Sequence, residues 1–324
     1  MERTETLLAV VIGAPVASAA YILCAEAALR RLAPGRQRLV RPWLWVGPAL
    51  LLLVVFLVYP VVDTLALSFR DAAGRTWVGF ANYRIALSDP DTLRALWNTM
   101  LWVVGFTGLS VGFGLAVAVL ADRVRYEAVV KAIVFLPMAL SFTAAGVIWK
   151  FVYEFRPAGA PQIGALNALL VAIVPGFTPR AWLTLSPENT PLLIAVGVWI
   201  WTGFCAVVLS AALKNVPREL IEAARIDGAG DARVFRQVQL PGIAPVVASI
   251  AITMLVTALK VFDVVYVMTS GNYGTDVVAN RMYSELFTFR HPGRASALAA
   301  ILLVGTIPLV VAVMRRAARE DAFR

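Results

Sequence analysis

Two groups of residues in this chain could do chemistry, and neither is a hydrolytic or redox centre. Lys260, Asp263 and Tyr266 recur at three-residue spacing in one apolar run, and Trp199, Trp201 and Thr202 lie together in another. Ionisable groups inside an apolar span are costly and point to a solute pathway. Aromatic faces flanked by polar side chains suit a polyhydroxyl ligand in a largely apolar cleft. The bland alternative is a Lys260–Asp263 pair that neutralises itself, with the tryptophans anchoring at a membrane interface. The second group is polar: Glu222-Ala223-Ala224-Arg225-Ile226-Asp227-Gly228, then Val238-Gln239-Leu240-Pro241, within the stretch 214–240 between two long apolar runs. A patterned, charged, helix-forming insert in that place is a surface on which something soluble docks. Leu220, Ile221 and Ala224 fall on one side at helical spacing. Ala223 and Ala224 keep the helix slim, and Gly228 and Gly230 permit the bend that ends it. Asn215 is expected to cap this helix with Pro217 in its first turn, and Leu240-Pro241 to open the next membrane helix. Glu222 lies one turn from Arg218 and Arg225; pairing with them would be worth a few tenths of a kcal/mol, and on spacing alone that is the preferred reading.

Other chemistry is missing from the sequence. No GxxxxGK[ST] loop occurs to cradle ATP phosphates. There is no HExxH, no Ser/His/Asp or Cys/His arrangement and no useful carboxylate pair. Cys24 and Cys205 both fall in apolar runs, with no metal-ligand spacing and no disulfide framework. His291, beside Pro292, has no Asp, Glu or Cys at ligand spacing and reads as a solvated loop residue.

The elements that must carry these groups are membrane helices. The chain is 60% hydrophobic with a mean hydropathy of +0.77. An apolar run of about 20 residues crosses a bilayer as a helix, and the runs 6–29, 43–69, 98–120, 131–153, 191–213, 241–268 and 297–314 qualify. The alternation of a membrane β-barrel is absent. The net charge of +9 comes from arginines at helix ends rather than a nucleic-acid surface. Arg30, Arg31, Arg36, Arg38 and Arg41 place the segment 30–42 in the cytoplasm. Alternation then puts 121–130, 214–240 and the tail from Arg315 on the same side, with the N-terminus outside and the C-terminus inside. Ala17-Ser18-Ala19 could be a cleavage site, but the start Met1-Glu-Arg-Thr-Glu5 has no net positive charge, and a retained first helix fits better. The run 163–174, ended by Pro175-Gly176, is too short to span and reads as an interfacial helix on the outer face.

The 214–240 pattern resembles the cytoplasmic loop of ABC importer permeases, where Glu-Ala-Ala, Gly and Ile-x-Leu-Pro recur at this spacing. Every position is filled here, with Val238 at the place of Ile. Pro48-Ala-Leu50, Tyr59-Pro-Val61, Trp199 to Gly203, Arg225-Ile-Asp-Gly-Ala229 and Phe262-Asp-Val-Val-Tyr-Val-Met-Thr269 extend the likeness over 43–314, to the carbohydrate permeases of the maltose and glycerol-phosphate type. Val278-Ala-Asn280 to Gly293-Arg-Ala-Ser-Ala297 and the extra N-terminal helix look most like α-glucoside permeases.

The resemblance implies an all-α polytopic fold, the transmembrane domain of a type I importer with six core helices. One extra N-terminal helix with a basic linker (1–42) would precede the permease domain (43–324) in the cytoplasmic membrane. It implies a second homologous permease, two ATP-binding subunits that hold ATP and Mg, and an extracytoplasmic sugar-binding protein. This chain itself would bind no cofactor or metal and catalyse nothing. Glu222, Ala223, Ala224, Gly228, Val238, Leu240 and Pro241 would couple to the ATPase, in an alternating-access step that moves rigid bodies. Trp199, Trp201, Thr202, Lys260, Asp263 and Tyr266 would line the sugar path. Bulky Trp201 and apolar Ala258 stand where maltose-type relatives place small or polar contacts, which would leave much of the sugar contact to the second permease. The rivals are an ABC permease for glycerol 3-phosphate or another polar solute, and an ion-coupled secondary transporter. A phosphate cargo wants a basic cluster, and Lys150 and Lys260 are the intramembrane lysines. A secondary transporter wants a carboxylate relay, and Asp263 and Asp63 stand nearly alone.

Overall fold

The computed structural model describes residues 16, 19–157 and 159–321. Among these the regular structure is helical, apart from an isolated bridge between Arg70 and Trp77. Two compact units divide between Thr64 and Leu65.

In the first unit, helix α1 (19–30) precedes α2, Pro34–Ser68, whose last four residues belong to the second unit. Arg41 pairs with Glu26 at 2.9 Å, and the Tyr21 hydroxyl donates to the Leu44 carbonyl. The basic stretch 30–42 is therefore not a linker. Pro34 opens a helix there, its fixed φ suiting the first turn, and only 31–33 separate the two helices. The most apolar window of α2 has a mean hydropathy of 2.5 and buries none of its residues. Half of the expected run 6–29, including Ala17-Ser18, lies outside the described residues.

The second unit holds α3, Ala81–Ser88, and α4, Pro90–Ala121. Next come α5, Glu127–Ala139, α6, Phe142–Val152, and α7, Ala165–Ile173. Then follow α8, Asn189–Lys214, α9, Arg218–Ile226, α10, Asp231–Gly242, and α11, Ala244–Leu259. The last elements are α12, Asp263–Thr269, α13, Val278–Tyr283, and α14, Pro292–Asp321. Among the described residues three helices are long and apolar enough to cross a membrane, α2, α4 and α8, or up to five if the bent pairs α5–α6 and α10–α11 each count as one span.

Two of the expected spans are broken. The run 131–153 divides into α5 and α6, which meet at 100°. Pro137 tightens the end of α5 into a 3-10 turn, and Ser141 caps a new helix by accepting the Ala144 N–H at 3.1 Å. The run 241–268 does not begin at Leu240-Pro241. Its helix α11 starts at Ala244, with Pro245 in the first turn, 69° from α10. It ends at Leu259, and Lys260–Phe262 separate it from α12. Hydropathy sums composition and does not register caps or prolines.

Buried α8 is the axis of this unit. Leu193, Val196, Cys205 and Leu209 are fully enclosed. Its neighbours come close because the residues between them are small. A Cβ on Gly114 of α4 would lie 2.3 Å from the Cys205 Cβ, and one on Gly203 would lie 2.3 Å from the Val134 carbonyl of α5. Trp102 and Phe106 cover Gly197 in the same way. Small residues at helix crossings are how membrane helices gain van der Waals contact, since lipid tails offer no hydrophobic drive between helices.

The loops are fixed by buried asparagines. Asn167 on nine-residue α7 donates to the Glu154 and Arg180 carbonyls at 3.1 and 2.9 Å, and accepts from the Arg180 N–H and Trp182 Nε1 at 3.0 Å each. At that length α7 cannot span. Asn98 donates to the Gly274 and Asp276 carbonyls at 2.7 and 2.8 Å, and Asn189 to Tyr273 at 2.9 Å, pinning a loop whose Ser270, Gly271, Tyr273 and Gly274 all have positive φ. Burial holds the Asp276 carboxyl above its usual range, against a hydrogen bond from Asn280. His291 is not a lone loop residue: its Nδ1 lies 2.9 Å from the Glu285 carboxylate. A π-helical turn, Ser284–Thr288, and the left-handed Arg290 bring the two together.

Candidate functional site

The 214–240 stretch folds as a capped helix held against the core by one edge. Asn215 does not cap α9. It ends α8 instead, its N–H donating to the Ala212 carbonyl at 3.1 Å, because α8 runs unbroken to Lys214. Pro217 is the N-cap residue of α9, at φ −54 and ψ 128. The other end explains the motif spacing. Gly228 has φ +79; its N–H donates to the Arg225 carbonyl, and the Ala229 N–H to the Ala224 carbonyl, both at 3.0 Å. That is a Schellman motif, with Gly228 at its left-handed position and the Ala224 carbonyl as its first acceptor. The spacing of Glu-Ala-Ala and Gly thus places a left-handed residue where the last free carbonyls of α9 need it. A Cβ at Gly228 would meet open space, so the penalty for one is purely backbone strain. Gly228→Ala is expected to cost about 1 kcal/mol of local stability, and Gly228→Asn less. Amide exchange over 227–229 should accelerate about fivefold in the alanine variant, and unchanged protection would refute the motif.

Ile221 is half-buried against the core, as are Phe235 and Val238 of α10. Ala224 is half-buried as well, while Glu222 and Ala223 point outward. Leu220 departs from the expected inward face. It is 55% exposed and lines a groove of about 720 Å³ with Val216, Pro217, Val238 and Pro241. Ile226 is 86% exposed. The pairing of Glu222 with Arg218 and Arg225 does not form. Arg225 instead meets Asp231 at 3.3 Å, and Asp231 reaches Arg123 at 3.7 Å. Glu222 has no ion pair or hydrogen bond to any described residue. Leu240 is half-buried at the end of α10 and Pro241 beside it is exposed.

The expected path residues divide. Trp201, midway along α8, lines a cavity of about 400 Å³ with Lys260, Asp263, Thr257 and Phe142. Lys260 ends α11 and Asp263 opens α12, each favourably placed for its helix dipole. They form no ion pair with one another, so both charges face the cavity; Thr143 Oγ1 lies 3.5 Å from Asp263. The Trp201 indole N–H is buried without a partner. Tyr266 stacks on Phe262 at 5.1 Å and meets Tyr283 at 5.3 Å, next to the cavity wall. Trp199 turns away to Trp149, ring centroids 5.6 Å apart. The Thr202 hydroxyl is spent on the Val198 carbonyl of its own helix at 2.7 Å. Phe142 was not legible as a lining residue, nor Tyr283 as the ring neighbour of Phe262 and Tyr266. Only the break before α6 and the return of α13 bring them in, and no local spacing signals either.

This constellation can dock a partner on α9 and hold a polar, uncharged or charge-balanced solute beside aromatic rings. No group of His, Cys, Asp and Glu able to hold a metal is found among the described residues.

Residues 108–319 match the family model described as binding-protein-dependent transport system inner membrane component. The chain is 48% identical over 281 residues, covering 87% of it and 100% of the relative, to the osmoprotective compounds uptake permease protein GgtC of Synechocystis sp.. It is 41% identical, over 87% of its own length and 84% of the relative's, to the alpha-glucoside transport system permease protein AglF of Rhizobium meliloti. In fold it is similar to a chain of a bacterial ABC transporter that imports the acidic polysaccharide alginate, with a TM-score of 0.74 and 23% identity over 89% of this chain and 99% of that one. With that family model matched over most of the second unit and these two relatives covered over most of their length, the chain belongs to the family of binding-protein-dependent transport system inner membrane components, the permeases of ABC importers.

Proposed function

We propose that this chain is one of two permease subunits of an importer that carries an α-glucoside-type sugar into the cytoplasm. Its N-terminus lies outside and its C-terminus inside. Two separate ATPase subunits bind ATP and Mg and seat on α9, and an extracytoplasmic binding protein delivers the sugar. The observation that carries this reading is Glu222: exposed, without a partner, on a helix whose end is fixed by Gly228. An uncompensated carboxylate on a rigid, slim helix is a waiting half of an interface. The coupling role falls to Glu222, Ala223, Ala224, Gly228, Val238, Leu240 and Pro241, and the cargo contacts to Trp201, Lys260, Asp263 and Tyr266, with Trp199 and Thr202 supporting α8.

The sugar is favoured by the cavity. Two opposite charges on its lining suit hydroxyls better than a phosphate, which would find Asp263 beside it. AglF, named for alpha-glucosides, supports that class. GgtC, named for osmoprotective compounds, supports a second reading, a compatible solute of similar polarity. Uptake into liposomes holding the complete complex, with a panel of α-glucosides, compatible solutes and glycerol 3-phosphate, decides between them. ATP-dependent uptake of an α-glucoside is expected, with Trp201→Ala raising the KM about tenfold. Uptake of glycerol 3-phosphate alone, or uptake without ATP, would defeat the reading.

A further inference from the structure

The ends of α4, α5 and α8 nearest α9 are tied by four charges. Glu127 opens α5, and both its carboxylate oxygens receive Lys214, the last residue of α8, at 2.6 and 2.8 Å. Lys131, one turn on, reaches the same carboxylate and the Ser210 hydroxyl. Ser210 in turn donates to Asp122, just past the end of α4, at 2.9 Å. Asp122 lies 3.6 Å from Lys131 and 3.9 Å from Lys214. The side chains of Lys131, Glu127 and Asp122 are only 18%, 25% and 27% exposed, and that of Lys214 is 53% exposed. A carboxylate at a helix C-terminus, as Asp122 is, opposes the helix dipole, so its place is explained by the two lysines rather than by α4.

We propose that this cluster is the linkage by which displacement of α9 reaches the central cavity, with Glu127 as its positioning residue. The proposal rests on the permease reading above. Lys214 is separated from α9 only by Asn215–Pro217, so any tilt of α9 acts first on the end of α8. The cluster carries that tilt across to α5. Farther along, the backbone contact of Gly203 with Val134 and Phe135 keeps α8 and α5 together as one body. The far end of α5 is the 100° break, and across it stand Phe142, whose ring lies 6.4 Å from that of Trp201, and Thr143, which reaches Asp263. The break is the hinge; beyond it Phe142 lines the cavity and Thr143 touches Asp263 of its lining. A bend between rigid segments is the kind of element that turns a small shift into a change of access. Partly buried pairs resist screening and hold geometry better than exposed ones such as Arg225–Asp231.

The test is the ratio of sugar imported to ATP hydrolysed by the reconstituted complex. In Glu127→Gln and in Lys214→Met, uptake is expected to fall about tenfold while hydrolysis stays within about twofold. Lys214→Arg, which keeps the charge and the reach, should retain the wild-type ratio. A merely structural role would lower uptake and hydrolysis in parallel and leave the ratio alone; that result overturns the linkage. A measurement on the wild type guards against variants that fail to assemble. Amide exchange in α5 should differ between nucleotide-free and ATP-bound complex, and identical protection over 128–135 would also overturn it. Uptake that needs no ATP in the wild type would instead sink the permease reading, and the linkage with it.

Discussion

Glu222→Lys is expected to lower uptake and sugar-stimulated ATP hydrolysis by about 30-fold or more, while the permease still inserts and pairs. The size follows from placing a cation where a docked partner would have desolvated and paired a carboxylate, an exchange that costs about 2–5 kcal/mol at a protein interface. The selectivity follows from the fold. Glu222 is exposed and holds nothing in place, so the substitution costs α9 little; an exposed change of this kind is worth within about 0.5 kcal/mol. Glu222→Gln should fall between, since the amide keeps the shape and loses the charge. Co-purification of the ATPase subunits separates weakened docking from failed chemistry. Normal uptake by Glu222→Lys would show that α9 couples through its backbone or through Ile226 and Leu220 instead, and would remove the carboxylate from the mechanism.

The motif was legible because its spacing is a local property. Ala224 and Gly228 belong to one turn and one cap, and a cap is written in consecutive residues. The long apolar helices α2, α4 and α8 were legible for the same reason. What was not legible depends on competition between alternatives that look equal in sequence. Arg225 had Glu222 within one turn and Asp231 beyond the bend, and the turn at Gly228 decided for Asp231. Asn215 could have begun α9 or ended α8, and the length of α8 decided. Glu285 and His291 lie outside any helical spacing rule, and a π-helical turn joins them. The breaks before α6 and α11 matter most, because hydropathy reads straight through them. Ser141 and Pro245 carried the signal, as a cap and a first-turn proline inside apolar runs. The cavity inherits that difficulty: it exists only where the broken helices cross Trp201.

The same pair of helices offers a structural test with opposite signs at two glycines. Gly203→Val is expected to destabilise the permease by about 3 kcal/mol, the upper end for overpacking. A Cβ there would lie 2.3, 2.6 and 2.7 Å from the Val134 oxygen, Phe135 Cα and Val134 carbonyl carbon. All three are backbone atoms, so no side chain can swing aside and α5 itself must move off α8. Because α5 ends at the hinge before Phe142, the shift would open the wall beside Trp201, and uptake should fall together with the melting temperature. Gly108 of α4 is the counterpart, with nothing within 4 Å of its Cβ position. Gly108→Ala only restricts the unfolded chain and is expected to stabilise the helix by about 0.5–1 kcal/mol. Thermal unfolding of both variants in one detergent compares them directly. If Gly203→Val melted with Gly108→Ala, α5 and α8 would not be in backbone contact. The rigid body that is to carry motion from α9 to the cavity would then have no physical basis.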